Sequence, residues 1–447
     1  MTSSISNIIK RNLSLSLLKQ NHNKSLSEIF IEDFIFIRLF AFRMNFTLSD
    51  YCQQRIMKTY ETFKPALVIT TNSWLLLVIL TLMIFWPTNG LFMDVKIFEQ
   101  ILNIQRADLL FTQIIFFIII KECLWLHCMN EVINYRNRYI DFLLSILPNY
   151  ERKCHHKLQR YLNNYICIEY FIITWLYLII VLLMLSISIL IPRWNFVLYM
   201  DGQINFVQFM SSFLYSFLYG MDMIYITFQF FSLESFFLFC LIFYREKIKK
   251  LFTFLTLSIK RRYKSPYFMR KIFWNLYHRE YITLYSNIAN LNESAKFSLL
   301  AVETISKSAA MIACVFYSKQ VKMTMINSLL VFCMIFAFLF VNLMYYQIAS
   351  LPTYNTKCIQ IIFKWLARSQ WSEKFVKTNN INCFSHKIQQ IHGRQSMKWN
   401  FFVQTMTDNK LGFTCGHVFY ITKYKFIEMI LLNIPLILML YKHVSNL

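Results

Sequence analysis

Residues 412–447 read GFTCGHVFYITKYKFIEMILLNIPLILMLYKHVSNL and contain an apolar run from Met429 to Tyr441 that follows a long basic stretch. Such a segment either crosses a membrane or lies in a protein core. Composition decides between the two, because hydrophobic residues make up 57% of the 447, charged residues only 15%, and the mean hydropathy is +0.42. This leaves too few polar side chains to cover a soluble protein of that size. The chain is therefore predicted to be a multi-pass membrane protein.

Apolar runs long enough to cross a hydrocarbon core of roughly 30 Å occur seven times along the chain. They predict an all-α fold class, a seven-transmembrane helical bundle. The fourth run is about twice the required length, so its C-terminal part is expected to leave the bilayer as a helix. The predicted spans are approximately 66–86, 109–127, 168–191, 206–244, 297–317, 325–346 and 426–441.

Basic residues are distributed unevenly between these spans. One set of alternate connecting segments, beginning with residues 1–65, holds 38 Lys and Arg, whereas the other set holds 6. Because Lys and Arg concentrate in cytoplasmic loops, the N-terminus is predicted to be cytosolic and the C-terminus extracellular. This orientation is the reverse of a G-protein-coupled receptor. In addition, none of the 11 cysteines falls in a predicted outer segment, which excludes the extracellular disulfide of that class.

The segments outside the spans suggest how the chain is organised. Residues 245–296 and 347–425 carry apolar residues at helical spacing, which predicts a helical cytosolic anchor layer. Residues 1–43 are rich in Ser, Asn and Leu and show no clear hydrophobic core. They are therefore predicted to be a separable cytosolic extension and a candidate for a disordered segment. Residues 44–447 form the membrane domain. Translation could begin at either Met1 or Met44.

Several kinds of chemistry are excluded by the sequence. The 6 glycines are scattered, so no glycine-rich loop can hold a phosphate or a dinucleotide. The net charge of +23 comes from basic blocks between apolar runs, which suits topology and membrane lipid rather than nucleic acid. The Cys/His clusters at 154–156 and 383–392 lack the spacing of a tetrahedral metal site. No catalytic motif occurs, so the chain is predicted not to be an enzyme and to need no cofactor.

Ionisable side chains inside a span are costly and point to function. Glu303 and Lys307 lie four residues apart in the fifth predicted span, so they share a helix face and can form an intramembrane ion pair. Two interpretations stay open. The pair either neutralises two charges for structural reasons or takes part in gating or an ion pathway.

The fourth predicted span carries Asp222 among Tyr215, Tyr219 and Tyr225. Such an aromatic and polar face suits a cavity that binds a small polar molecule, with rings for stacking and a carboxylate for a hydroxyl or a cation. The alternative is a carboxylate that hydrogen bonds with the tyrosines and holds helices together. These four residues are the predicted ligand pocket.

The last predicted span contains Glu428 near its inner end, Asn433 and Pro435 within it, and Tyr441 at its outer end. If this helix lines a pore, Glu428, Asn433 and Tyr441 are its pore residues. If it only packs, Asn433 bonds to a neighbouring helix and Pro435 kinks the backbone. Neither interpretation is excluded by the sequence.

The architecture over residues 44–447 resembles the insect gustatory receptors and their odorant-receptor relatives, which share seven spans, a cytosolic N-terminus, short outer loops and an overlong fourth helix. In that family the chain ends at the seventh span. A stretch before the fifth span looks like the family's His-x-x-Leu stretch ahead of an Asn, and it consists of His278, Tyr281, Leu284, Ile288 and Asn292.

The run Gly412-Phe413-Thr414-Cys415-Gly416 resembles the small and aromatic patch that opens the family's final helix. The family's Thr-Tyr pair, followed by five apolar residues and Gln-Phe, is not intact in the last span. The chain therefore looks like a divergent, gustatory-receptor-like member.

The resemblance implies an all-helical subunit of a homo- or heterotetramer in the plasma membrane of sensory neurons. One final helix per subunit would surround a central pore, and a ligand pocket would lie in the outer half of each bundle. The implied function is a chemoreceptor that opens a non-selective cation channel when a small-molecule tastant binds. The implied partners are that ligand, membrane lipid and related receptor subunits. A non-conducting scaffold or partner subunit of the same fold is the alternative, and a secondary transporter is a third.

Overall fold

The computed structural model describes residues 39, 41–85, 99, 107–142, 144, 178, 182, 185, 189, 191–202, 204–261, 267–320, 325–379 and 386–445. Almost all of this part is helical. The main elements, in chain order, are α1 (Leu48–Cys52), α2 (Tyr60–Phe85), α3 (Ala107–Ile133), α4 (Phe206–Arg261), α5 (Tyr267–Lys319), α6 (Met325–Ile348), α7 (Ser350–Asn379), α8 (His386–Asp408), β1 (Thr414–Cys415), β2 (Phe419–Tyr420) and α9 (Lys423–Ser445).

The chain is an all-α membrane protein with five helices in its described part that are long and apolar enough to cross a bilayer. These are Tyr60–Phe85, Ala107–Ile133, Phe206–Leu257, Trp274–Lys319 and Leu330–Ala367. They correspond to five of the seven predicted spans. The predicted span 168–191 lies almost entirely outside the described residues. The predicted span 426–441 lies within α9, which is helical but is not among the five.

Helix α4 is even longer than predicted. The sequence analysis ends the fourth span at residue 244, whereas the helix runs to Arg261 and has 56 residues, or roughly 84 Å at 1.5 Å per residue. It contains no proline and a single glycine, Gly220, so little in it breaks the hydrogen-bond ladder. Helix α5 likewise has 53 residues. The prediction that segments 245–296 and 347–425 are largely helical is confirmed.

The chain divides into two compact units. Unit 1 comprises Met1–Phe239, Phe297–Val341 and Leu432–Leu447. Its core is mainly aliphatic and draws on α2, α3, α4, α6 and the part of α5 beyond residue 297. Fully buried members of this core are Leu76, Leu80, Ile118, Ala313 and Phe316.

Unit 2 comprises Cys240–Lys296 and Asn342–Leu431. Its core is aromatic, because α5, α7 and α8 each contribute a tryptophan to one cluster. Ring centroids of Trp274 lie 5.9 Å from Trp365 and 5.3 Å from Trp399, and the latter two are 5.0 Å apart. Such ring pairs add directional packing to the area that they bury.

The run Gly412–Gly416 does not open the last helix, which corrects one detail of the resemblance. Its Thr414 and Cys415 form β1, which pairs in antiparallel fashion with β2, and the helix begins only at Lys423. Gly416 makes this turn possible with a φ of 56°, a left-handed conformation that favours glycine. Two-residue strands are too short to produce an alternating pattern, so the sequence does not signal this hairpin.

Candidate functional site

The most unusual feature of unit 1 is a set of charged side chains buried between its helices. Lys121 of α3 places its Nζ 2.5 Å from Oδ1 of Asp222 on α4. The same amine donates to Oγ of Ser73 on α2 at 2.6 Å, and that hydroxyl lies 2.7 Å from Asp222 Oδ1. All three side chains are fully buried. Three helices are therefore joined at one carboxylate oxygen.

A second ion pair lies beside the first. Arg43, which precedes α1, donates from its two terminal nitrogens to the carboxylate oxygens of Glu122 at 2.8 and 3.0 Å. The guanidinium also donates to Thr70 Oγ1 at 3.0 Å and to Gln229 Oε1 at 3.2 Å. It lies over the ring of Trp125, 4.8 Å from the centroid. A forked contact of this kind is geometrically specific to arginine.

The two pairs form one unit, which we call the charge network. Lys121 Nζ lies 3.4 Å from Glu122 Oε1, so the pairs are in contact. Two cations balance two anions. Taking a single ion out of water costs several kcal/mol, and only close pairing with further hydrogen bonds offsets that cost. The members of the charge network are Arg43, Lys121, Glu122 and Asp222, together with their hydrogen-bond partners Thr70, Ser73 and Gln229.

One residue of this network has an uncommon backbone. Arg43 adopts a φ of 53°, which few residues other than glycine adopt. The surrounding contacts hold it there, since its neighbours Phe42 and Met44 are also buried and the Phe42 carbonyl accepts a hydrogen bond from Trp125 Nε1 at 3.0 Å. Arg43 belongs to the predicted extension 1–43, and the boundary of that extension stays a prediction.

Two polar atoms of the network have no hydrogen-bond partner among the described residues. They are Oδ2 of Asp222 and Nε of Arg43, and both are buried. Buried polar groups are nearly always hydrogen bonded, to protein or to water. The described residues contain no group of three or more His, Cys, Asp or Glu that could hold a metal ion.

The four residues of the predicted ligand pocket all lie on α4, where Tyr215, Asp222 and Tyr225 are buried and Tyr219 is partly buried. Tyr215 and Tyr219 stack at 5.8 Å, and Tyr215 contacts Phe111 edge-on at 6.3 Å. Tyr225 is buried against Ile69. Asp222 itself accepts hydrogen bonds from Lys121 and Ser73, which favours a structural interpretation of this carboxylate. Its role in ligand binding stays a prediction.

The predicted intramembrane ion pair forms. Lys307 Nζ lies 2.6 Å from Glu303 Oε1 on the same face of α5, and both side chains keep only partial exposure. Near them, Gln113 of α3 donates to Ser308 Oγ at 2.9 Å. The pair therefore neutralises two charges within one helix turn, as its spacing predicts.

Removing one charge of this pair should leave the other poorly solvated. Glu303→Ala or Lys307→Ala should each lower the free energy of unfolding by about 1–3 kcal/mol and reduce surface expression. The double variant should recover much of that loss, because neither charge is then left alone. Surface expression and thermal stability in detergent measure this. Losses that simply add in the double variant would show that the two side chains do not interact.

The predicted pore residues lie on α9. Glu428 is bound by Lys425, whose Nζ lies 2.9 Å from Oε1, and both side chains are about one-third exposed. Pro435 lies inside the helix. The side chains of Asn433 and Tyr441 are outside the described part of the structure.

The hairpin before α9 is held firmly within unit 2. Asn292 of α5 accepts from the backbone N–H of Thr414 at 2.8 Å and donates to its hydroxyl at 3.2 Å. The N–H of Gly416 donates to the carbonyl of Lys296 at 2.8 Å. Burial raises the pKa of the Tyr420 phenol in β2, so this ring stays neutral. Asn292, which ends the stretch that resembles the family's His-x-x-Leu segment, therefore holds the hairpin in place.

Most of the charge network is not apparent from the sequence, although the sequence contains one signal of it. Lys121 and Glu122 are ionisable residues inside the predicted span 109–127. Consecutive residues project in different directions from a helix, so each also reaches a closer partner on another part of the chain: Asp222 for Lys121 and Arg43 for Glu122. Their partners lie 101 and 79 residues away, and sequence spacing does not reveal such contacts.

Comparison with known proteins adds no family assignment: no protein-family model matches the chain, and no curated protein sequence matches it.

Proposed function

We propose that this chain is a gustatory-type chemoreceptor and a subunit of a ligand-gated, non-selective cation channel. In this proposal it has seven spans, a cytosolic N-terminus and an extracellular C-terminus, and it assembles as a homo- or heterotetramer in the plasma membrane of sensory neurons. Four copies of α9 surround the pore, and small-molecule tastants bind within the bundle of unit 1. In the proposed mechanism, binding of a ligand within the bundle of unit 1 changes the position of α9 and so opens the pore.

One observation carries the proposal. The two longest helices, α4 with 56 residues and α5 with 53, each contain a candidate span and are far longer than a bilayer requires. The helical unit made of residues 240–296 and 342–431 carries 23 Lys and Arg against 6 Asp and Glu. That same unit clamps a hairpin directly before α9. An overlong fourth helix, and helical segments before the fifth and the last predicted spans, are among the features on which the resemblance to gustatory receptors rests.

Recording current from cells that express the chain tests this proposal. A panel of sugars, bitter compounds and lipids is applied to the chain alone and with related receptor subunits. An epitope tag after Leu447, labelled on unpermeabilised cells, verifies surface delivery and tests the proposed orientation. We expect agonist-dependent inward cation current. Surface-delivered protein that never conducts in any combination would contradict the channel proposal.

Reversing the charge of Glu428 should change permeation. A ring of carboxylates near the inner mouth of a tetrameric pore favours cations. Glu428→Lys should therefore lower inward cation current several-fold or shift the reversal potential, with surface labelling unchanged. Glu280→Lys is the matched control, because it reverses a carboxylate that is 57% exposed on α5. Equal effects of both variants would argue against a pore position for Glu428.

A non-conducting partner subunit is the second candidate. The absence of the family's Thr-Tyr and Gln-Phe residues from the last span favours it, since those residues belong to the family's pore helix. A partner subunit would carry no current alone, and its co-expression would change the agonist response of a conducting relative. In that case Glu428→Lys would alter neither permeability nor reversal potential.

A further inference from the structure

The hairpin and the first turn of α9 expose large apolar and aromatic side chains. On the surface of a soluble protein such positions are usually polar. Val418 at the hairpin tip is 72% exposed, and Tyr424 in α9 is 78% exposed. Both lie in unit 2, and Val418 belongs to the hairpin that Asn292 binds through Thr414. We call this area the hairpin surface and define it by Lys410, Val418, Lys423, Tyr424 and Lys425.

The three lysines of the hairpin surface share one arrangement, because each amine lies over an aromatic ring. An amine over a ring keeps its carbon chain packed while its charged end reaches toward solvent. The distances to the ring centroids are 5.9 Å for Lys410 over Tyr420, 6.0 Å for Lys423 over Tyr346, and 5.7 Å for Lys425 over Phe419.

The hairpin surface belongs to a unit whose sequence is strongly basic. Glu428 neutralises one of its amines, that of Lys425. Unit 2 as a whole, however, holds 23 Lys and Arg against only 6 Asp and Glu. This excess attracts anions to the unit.

The hairpin surface also lies at the start of an apolar helix. Ile427 and Leu431 of α9 are 56% and 59% exposed. Leu431 follows Lys425 by six residues, or roughly 9 Å along the helix axis. Lysines, an exposed tyrosine and the start of an apolar helix are the composition of a protein segment at a lipid headgroup boundary.

We propose that the hairpin surface binds the headgroups of anionic lipids in the leaflet that contains the basic end of α9. The lysines contact lipid phosphates or carboxylates, and Val418 and Tyr424 enter the headgroup region. Because Asn292 and Lys296 of α5 hold the hairpin, lipid bound there also influences where α9 begins. This inference requires α9 to lie in the membrane but does not require it to conduct.

The full chain, purified in detergent, provides the test. Its thermal midpoint is measured with added dioleoyl phosphatidylserine, with dioleoyl phosphatidylcholine and with soluble inositol hexakisphosphate, since a bound ligand stabilises the folded protein. The test variant combines Lys410→Gln, Lys423→Gln and Lys425→Gln. The matched control combines Arg55→Gln, Lys58→Gln and Lys64→Gln, which removes three positive charges from exposed residues far from the hairpin in the sequence. A fourth protein combines Val418→Asn with Tyr424→Asn.

Phosphatidylserine should stabilise the full chain more than phosphatidylcholine does. For the test variant, the phosphatidylserine concentration that gives half of this stabilisation should rise about tenfold or more. For the control variant, that concentration should equal the value for the full chain. The Val418→Asn and Tyr424→Asn protein should also bind phosphatidylserine more weakly.

Three outcomes would overturn the proposal. They are equal stabilisation by both lipids, equal losses in test and control variants, and stabilisation by inositol hexakisphosphate as strong as that by phosphatidylserine. The last would identify a soluble phosphate compound as the ligand instead. Since no current is measured, a negative result here is independent of the channel test.

Discussion

Removing either charge of the Lys121–Asp222 pair should destabilise the protein more than most other single substitutions. Both side chains are fully buried, and their charged atoms lie 2.5 Å apart. Lys121→Ala or Asp222→Ala leaves one ion without its partner in a region that excludes water. The expected loss is about 3–5 kcal/mol of unfolding free energy. Thermal unfolding and the yield of monodisperse protein in detergent measure it.

The double variant Lys121→Met with Asp222→Val separates loss of a pair from damage to packing. Replacing a buried ion pair by apolar residues of similar size is often neutral or stabilising. We therefore expect this protein to regain most of the stability that either single variant loses, and Ser73 keeps its hydrogen bond to the Ile69 carbonyl at 2.9 Å. Asp201→Ala, at an exposed turn, is the control for loss of one carboxylate. A double variant as unstable as the sum of its singles would contradict direct pairing.

The same substitutions bear on ligand recognition. If Asp222 were free to contact a ligand, Asp222→Asn would shift agonist potency without affecting folding. The observed contacts with Lys121 and Ser73 predict reduced stability as the first consequence. Potency measured on the surface-delivered fraction then shows whether Asp222 also contributes to binding.

The features that the sequence predicts well are those that depend on local spacing. Long apolar runs predict the spans 206–244 in α4 and 297–317 in α5, and apolar residues at helical spacing predict the helical segment between them. A separation of four residues is sufficient to predict the Glu303–Lys307 pair. Contacts between distant residues are not encoded in this way. Asp222 is visible as an isolated charge in an apolar run, but nothing near it in the sequence identifies Lys121 as its partner. The hairpin is missed because strands of two residues leave no periodic signal.

The segment before α1 provides the clearest case of a contact that only the fold reveals. Arg43 is fully buried and binds Glu122, which lies 79 residues further along the chain. The apolar lead into the first helix and the arginine beside it are ordinary in composition. Only the position of Glu122 on α3 shows that this arginine belongs to the interior of unit 1.

A chain that begins at Met44 should consequently be far less stable than the full chain. It lacks Arg43, so the buried carboxylate of Glu122 keeps only one cationic neighbour, the amine of Lys121 at 3.4 Å. The side chains of Gln229 and Thr70 also each lose the hydrogen-bond donor that Arg43 supplies. The expected loss is again about 3–5 kcal/mol of unfolding free energy, with a matching fall in surface expression. Full-length Arg43→Met should reproduce this loss, which separates the role of the side chain from that of the other residues removed.

Two further variants identify the cause. Arg43→Lys keeps the charge but cannot contact both carboxylate oxygens of Glu122, so its stability should lie between those of the full chain and Arg43→Met. Glu122→Gln, introduced into the chain that begins at Met44, removes the unpaired anion and should restore part of the stability. If the chain from Met44 proves as stable and as abundant at the surface as the full chain, Arg43 contributes nothing to folding and Met44 is a competent start. If Glu122→Gln restores stability, the requirement for Arg43 is electrostatic.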